Sequence, residues 1–167
     1  MDAGEMTILH STPETFFARI EPTDIVEKSL RISMPGCYTS MGRVKRKHVQ
    51  LENELYMAEK LLAVANLSGA MNEYPEDKIH TITEDLLNAE FHDVLPGSGV
   101  QAAEDNGLKL LDHGLLEAER LKTRAFFALA ADQPVAAPGE YPILVFNPQP
   151  HAISENVECE FMLADQN

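Results

Sequence analysis

The sequence has little positive charge, few cysteines and no tryptophan. Its 13 Lys and Arg residues face 27 Asp and Glu residues, which gives a formal net charge of −14. A surface this acidic repels phosphate groups, so nucleic acids and anionic membranes are excluded as natural partners. Because tryptophan is the strongest sugar-stacking side chain, any carbohydrate site in this chain has to use other aromatic or polar groups.

Long apolar runs and a disulfide framework are absent as well. No stretch approaches the ~20 apolar residues that a membrane-spanning helix needs. The first five residues include two acidic ones, Asp2 and Glu5, and carry no apolar secretory signal. The two cysteines, Cys37 and Cys159, lie far apart in the sequence, which is typical of reduced thiols inside the cell. We therefore expect a cytoplasmic globular protein whose core forms without disulfides.

Apolar residues recur at helical spacing through the middle of the chain. From residue 43 the spacings alternate between four and three, which predicts a helix of about six turns that ends near Gly69. This stripe comprises Val44, His48, Leu51, Leu55, Ala58, Leu62 and Ala65. A second helix is predicted from Pro75–Asp77 to a point before Pro96, with Ile79, Ile82, Leu86 and Ala89 on its apolar face.

A third helix is predicted from about residue 100 to 131, opened by a capping box of Ser98 and Gln101. Its predicted stripe is Leu108, Leu111, Leu115 and Ala118. Three amphipathic helices with short connections predict a mainly α fold, an antiparallel three-helix bundle.

The two ends of the chain resemble parts of neighbouring domains. Met6–His10 is predicted to be a strand, followed by a short helix that starts with capping-box spacing at Ser11–Glu14 and includes Ile20. Ile143–Asn147 and Val157–Leu163 are predicted strands as well. Such strands have no partner within the chain and could pair with a second copy in a homo-oligomer.

These ends suggest a chain cut from a larger protein. We predict a short α/β remnant of a preceding domain at residues 1–32 and the three-helix bundle at 33–131. Residues 132–167 would hold a linker and the first β-strands of a following domain.

The segment from Glu90 to Gly99 is the best candidate for chemistry. A His92–Asp93 pair stands where a helix ends in a Pro-Gly turn, and imidazole and carboxylate groups bind metals and sugar hydroxyls. The same spacing also fits a histidine that caps a helix C-terminus and an aspartate that serves a turn. The cations at residues 43–47 read as a solvated helix start, with a phosphate-binding patch as the alternative.

Two functional alternatives stay open at this point. One is a helical binding or assembly module without catalysis. The other is an HD-type metal phosphohydrolase, which would need His48 or His80, together with Asp112, to converge on the His92–Asp93 pair.

The residues EFHDVLPGSG at 90–99 resemble the Phe-His-Asp signature of glycoside hydrolase family 38, the zinc-dependent retaining α-mannosidases. Three further stretches are similar to elements of that family and occur in the family's order. They are Ser11–Phe17, Gly36–Ser40 with Lys45–Arg46 and Glu52–Asn53, and Val145–Pro148. Two positions depart from the family pattern: Glu90 stands where many members have Gln, and Met41 replaces an Arg that usually follows Ser40.

The resemblance implies hydrolysis of terminal α-mannosides with retention, Zn²⁺ as cofactor and a mannoside or oligosaccharide as substrate. It implies that His92 is a zinc ligand and that Asp93 contacts the sugar hydroxyls. The other zinc ligands and both catalytic carboxylates would lie on a catalytic α/β domain, with a β domain following, so no catalytic residue is expected in this chain. Since one imidazole cannot hold zinc tightly, the isolated chain is expected to be inactive.

Overall fold

The computed structural model describes residues 9–29, 34–131 and 133–160. The chain divides into two compact units between Pro35 and Gly36. In the described part of the chain no helix is both long and apolar enough to cross a membrane.

The first unit contains one short helix, α1, at Pro13–Phe17. Thr12 caps it, because the Thr12 hydroxyl accepts a hydrogen bond from the Thr15 amide at 3.3 Å. The predicted helix was right in place but wrong in detail, since Thr12 rather than Ser11 is the cap and α1 ends before Ile20. Of the predicted strand Met6–His10, only residues 9 and 10 are described and neither is in a strand, so an α/β remnant is not seen.

The second unit is built from three long helices, which confirms the predicted helical bundle. They are α2 at Gly42–Leu67, α3 at Glu76–Ala89 and α4 at Gln101–Ala130, preceded by a 3₁₀ turn at Pro35–Tyr38. Ion pairs between helices show the relative directions of α2 and α4. Arg43 near the start of α2 pairs with Glu104 near the start of α4, and Glu54 pairs with Lys122 further along both helices. Thus α2 and α4 run parallel, and α3 returns between them.

The core lies where the α2 stripe meets α3 and α4. All seven predicted stripe residues of α2 and all four of α3 are buried, as expected from their spacing. Gly69 adopts a φ of +80° just after α2 and ends that helix as predicted.

The buried line of α4 differs from the predicted one. It consists of Gly107, Leu111, Gly114, Ala118, Leu121 and Ala125, whereas Leu108 and Leu115 are only half-buried. The two glycines let neighbouring side chains approach α4 closely: a Cβ on Gly107 would lie 2.8 Å from Cγ1 of Val94, which precedes α4, and one on Gly114 would lie 2.7 Å from Cδ2 of Leu51 in α2. Close approach at the two glycines therefore selects this face of α4 together with its apolar residues.

Residues 133–160 form no strand, so the predicted strand at Ile143–Asn147 is wrong. Of the predicted strand Val157–Leu163, residues 157–160 are not in a strand and 161–163 lie outside the described residues. A strand needs a partner for its backbone hydrogen bonds, and the described chain offers none here. Instead Phe146 packs against the bundle core, and Lys60 Nζ donates to the Pro148 carbonyl at 2.8 Å.

Candidate functional site

The His92–Asp93 pair lies in the connection between α3 and α4. Val94 is buried in the core and fixes the middle of this connection. The His92 side chain is 77% exposed, and its Nε2 lies 3.5 Å from Asp93 Oδ2. The ring of Phe91 lies beside the imidazole, with 4.2 Å between centroids. The pair therefore faces solvent at one end of the bundle, as the sequence predicts for a group that reaches outward.

Asp93 is oriented by the turn that follows it. Ser98 Oγ donates to Asp93 Oδ1 at 2.9 Å, and the Gly99 amide donates to the Asp93 carbonyl at 2.7 Å. The predicted capping box of Ser98 is therefore wrong, because its hydroxyl is bonded to Asp93 and Val100 is the N-cap residue. One carboxylate oxygen of Asp93 is held in the turn, and the other faces the imidazole.

The Pro96–Gly97 turn is bound to the segment that precedes α2. Ser40 Oγ donates to the Gly97 carbonyl at 2.9 Å, and Lys45 Nζ donates to the Pro96 carbonyl at 3.2 Å. Gly97 has a φ of +86°, and a Cβ there would lie 2.1 Å from Ser40 Oγ. Glycine is thus required at this position by both conformation and space.

His48 links α2 to the end of α3. The imidazole is buried on the stripe of α2, and its Nε2 donates to Glu90 Oε1 at 2.9 Å. Its Nδ1 lies 3.4 Å from Glu52 Oε2, one turn along α2. One ligand atom from each of His48, Glu52 and Glu90 lies within 4.8 Å of the other two, which is close enough to hold a metal ion. In the structure, however, each ring nitrogen already faces its own carboxylate, Nε2 facing Glu90 and Nδ1 facing Glu52. The arrangement as it stands is a hydrogen-bonded link between the two helices.

The phosphohydrolase alternative needs histidines and Asp112 to converge on His92–Asp93, and the described contacts do not bring them there. His80 pairs with Glu84, and Asp112 pairs with Lys47. In the basic stretch 43–47, Arg43 and Lys47 are paired with carboxylates across helices and Lys45 binds carbonyl groups, which favours the predicted solvated helix start over a phosphate patch.

One pair was not predicted from the sequence. Asp85 is buried between α3 and α4, and its Oδ2 accepts from His113 Nδ1 at 2.6 Å. The helical spacing could have predicted that Asp85 is buried, since it follows Ile82 by three positions on the buried face of α3. The pair lies on the α3–α4 contact and outside the connection that carries His92.

The family described as "alpha mannosidase middle domain" matches residues 34–129, a span that includes the three-helix bundle and the connection between α3 and α4. The chain therefore belongs to the α-mannosidase middle-domain family. It is 29% identical over 129 residues to Alpha-mannosidase G of Dictyostelium discoideum, and this alignment covers 74% of the chain and 12% of that protein. It is 27% identical over 115 residues to Alpha-mannosidase 2C1 of Mus musculus, which covers 69% of this chain and 11% of that protein. The chain thus spans a small part of these curated relatives, and no solved structure matches it significantly.

Proposed function

We propose that this chain acts as the middle-domain part of a zinc-dependent retaining α-mannosidase that hydrolyses terminal α-mannosides. The observation that carries the proposal is the family match over residues 34–129, whose α3–α4 connection presents the His92–Asp93 pair to solvent. A catalytic α/β domain and a β domain would be its partners within the enzyme.

In this proposal His92 supplies one zinc ligand. Its imidazole suits the role because it is exposed and has a carboxylate beside one nitrogen, the arrangement in which acidic groups orient ligating histidines. Catalytic zinc sites use three protein ligands, so the remaining ones have to come from another domain. Zinc, when bound, would fix the hydroxyls of the sugar and assist distortion of its ring.

Asp93 is proposed to accept hydrogen bonds from the hydroxyls of the mannoside. Ser98 and the Gly99 amide fix the residue, so its outer oxygen can accept without first being ordered. The carboxylates that perform the covalent chemistry are assigned to the catalytic domain. The contribution of this chain is to bind and orient the substrate.

The isolated chain is expected to retain no stoichiometric zinc and to hydrolyse no aryl α-mannoside. A single exposed imidazole cannot replace a set of three or four ligands. The measurement is the metal content of the purified 167-residue chain after dialysis, together with release of the aryl group. Stoichiometric zinc, or turnover that persists on repurification, would contradict this. If zinc were retained and His48→Ala removed it while His92→Ala did not, the buried His48 group would be its site.

A chimera tests the proposal directly. Residues 34–129 of this chain would replace the aligned segment of Alpha-mannosidase G. We expect aryl α-mannoside hydrolysis within about tenfold of the parent, a difference of about 1.4 kcal/mol in transition-state stabilisation. A chimera with the same melting temperature as the parent, but with no bound zinc and no turnover, would contradict the proposal. The matched control carries the same segment with His92→Ala and Asp93→Ala, two exposed or half-buried positions, and leaves the buried Val94 in place.

A further inference from the structure

Among the described residues, the ring and ion-pair contacts of the His92 side chain are with its two sequence neighbours. In the described part of the chain its imidazole touches the neighbouring Phe91 ring and Asp93 carboxylate, both of which belong to the same connection. Its position is therefore set by the backbone on either side of it. A residue that fixes this backbone decides where the imidazole is presented.

The upstream side is fixed through Glu90, two residues before His92. Glu90 lies at the C-terminal cap of α3, and its carboxylate accepts from the buried His48 imidazole. Because His48 is part of the core stripe of α2, it cannot follow local motion of the connection. The bond thus ties the end of α3 to a rigid base.

The downstream side is fixed through the Pro96–Gly97 turn. Ser40 Oγ donates to the carbonyls of Pro96 and Gly97. Lys45 Nζ donates to the Pro96 carbonyl and, at 2.5 Å, to the Ser40 carbonyl. The bonds to the two turn carbonyls cross more than 50 positions of sequence. Hydrogen bonds that involve a charged group are the stronger kind, so the lysine contact adds more than a neutral one would.

We propose that Ser40, Lys45 and His48 are positioning residues for the His92–Asp93 pair, acting through Pro96–Gly97 and Glu90. Lys45 and His48 lie in the first two turns of α2 and Ser40 lies just before that helix, so one short stretch of chain holds both sides of the connection. The inference rests on the proposed function for the role of His92, but the anchoring itself is a property of the chain.

The test uses the full 167-residue chain and amide hydrogen exchange by NMR. Glu90→Ala removes the acceptor for His48 from an exposed position and opens no core cavity. Ser40→Ala and Lys45→Met remove the downstream donors. Each variant is expected to speed exchange at the Val94, Gly97 or Gly99 amide by about tenfold or more, because local opening governs exchange there. The ring-current shift that Phe91 imposes on the His92 ring protons is expected to shrink in parallel.

Conservative and matched variants separate positioning from general stability. Glu90→Gln keeps an acceptor oxygen with the same loss of charge as Glu90→Ala, so it is expected to restore slow exchange and the His92 shift. Lys47→Met removes a cation from the same helix but from an ion pair with Asp112, and is expected to leave both signals unchanged. Unchanged exchange in the Ala and Met anchor variants, or equal effects in Lys47→Met, would overturn the proposal.

The activity arm is read in the chimera and is independent of the exchange arm. Positioning predicts that Lys45→Met lowers kcat more than it raises KM, while Lys47→Met changes neither. If exchange responds but kcat does not, the positioning role is wrong and the proposed function still stands. If His92→Ala leaves the chimera fully active, the proposed function is wrong whatever the anchors do.

Discussion

Replacing His92 by alanine in the chimera is expected to lower kcat/KM for an aryl α-mannoside by more than about 100-fold. Loss of a residue that merely supports a metal ligand lowers affinity or activity by roughly 10- to 100-fold, so loss of the ligand itself should exceed that range. The zinc content of the chimera should fall with the activity. Stability should change little, because the side chain is 77% exposed.

His80→Ala is the matched control for this substitution. His80 is also an exposed histidine, and its described partner is Glu84 on the same helix. We expect its kcat/KM and zinc content to equal those of the unsubstituted chimera. Equal losses in the two variants, or no loss in either, would show that His92 does not bind the metal.

Replacing Leu51 by alanine is expected to lower the free energy of unfolding of the chain by about 2–5 kcal/mol. Leu51 is 0% exposed and lies where α2 meets the glycine-lined face of α4. Since a domain is stabilised by about 5–15 kcal/mol in total, the variant would lose a large fraction of its stability. Urea denaturation followed by circular dichroism measures the change. The control is Leu87→Ala, which removes the same atoms from an exposed position of α3 and should change stability by less than about 0.5 kcal/mol.

Gly114→Ala extends this experiment into a double-mutant cycle. Its new Cβ would lie 2.7 Å from Leu51 Cδ2, so crowding of about 1–3 kcal/mol should outweigh the roughly 1 kcal/mol that alanine gains in a helix. In the Leu51→Ala background the obstructing atoms are gone, and the same change should become stabilising. An identical effect in both backgrounds would mean that Leu51 does not set the helix spacing.

The structure shows which parts of the fold a sequence pattern can report. The stripes of α2 and α3 were predictable because their buried residues are apolar and recur at helical spacing. The buried line of α4 was not, since Gly107 and Gly114 carry no hydropathy signal and act by being small. The predicted strand at Ile143–Asn147 is absent for a different reason, because strand formation depends on a partner that no local pattern identifies.

The candidate site divides in the same way. The exposed position of His92 and Asp93 follows from a helix end before a Pro-Gly turn, which is a local signal. The contacts of Ser40 and Lys45 with that turn span more than 50 residues and have no local signature. These contacts join two of the stretches that carry the family resemblance, since Ser40 of Gly36–Ser40 donates to Gly97 of Glu90–Gly99.

The link between the start of α2 and the α3–α4 connection also limits how the chain can change in length. Each residue inserted into a helix rotates everything beyond it by about 100°, so an insertion between Lys45 and His48 would leave only one of them facing the connection. The turn at the other end of α2 is under no such restriction, because residues 72–74 are exposed and lie far from the His92 segment. Insertions and deletions among homologous chains should therefore accumulate in that turn and spare residues 40–48.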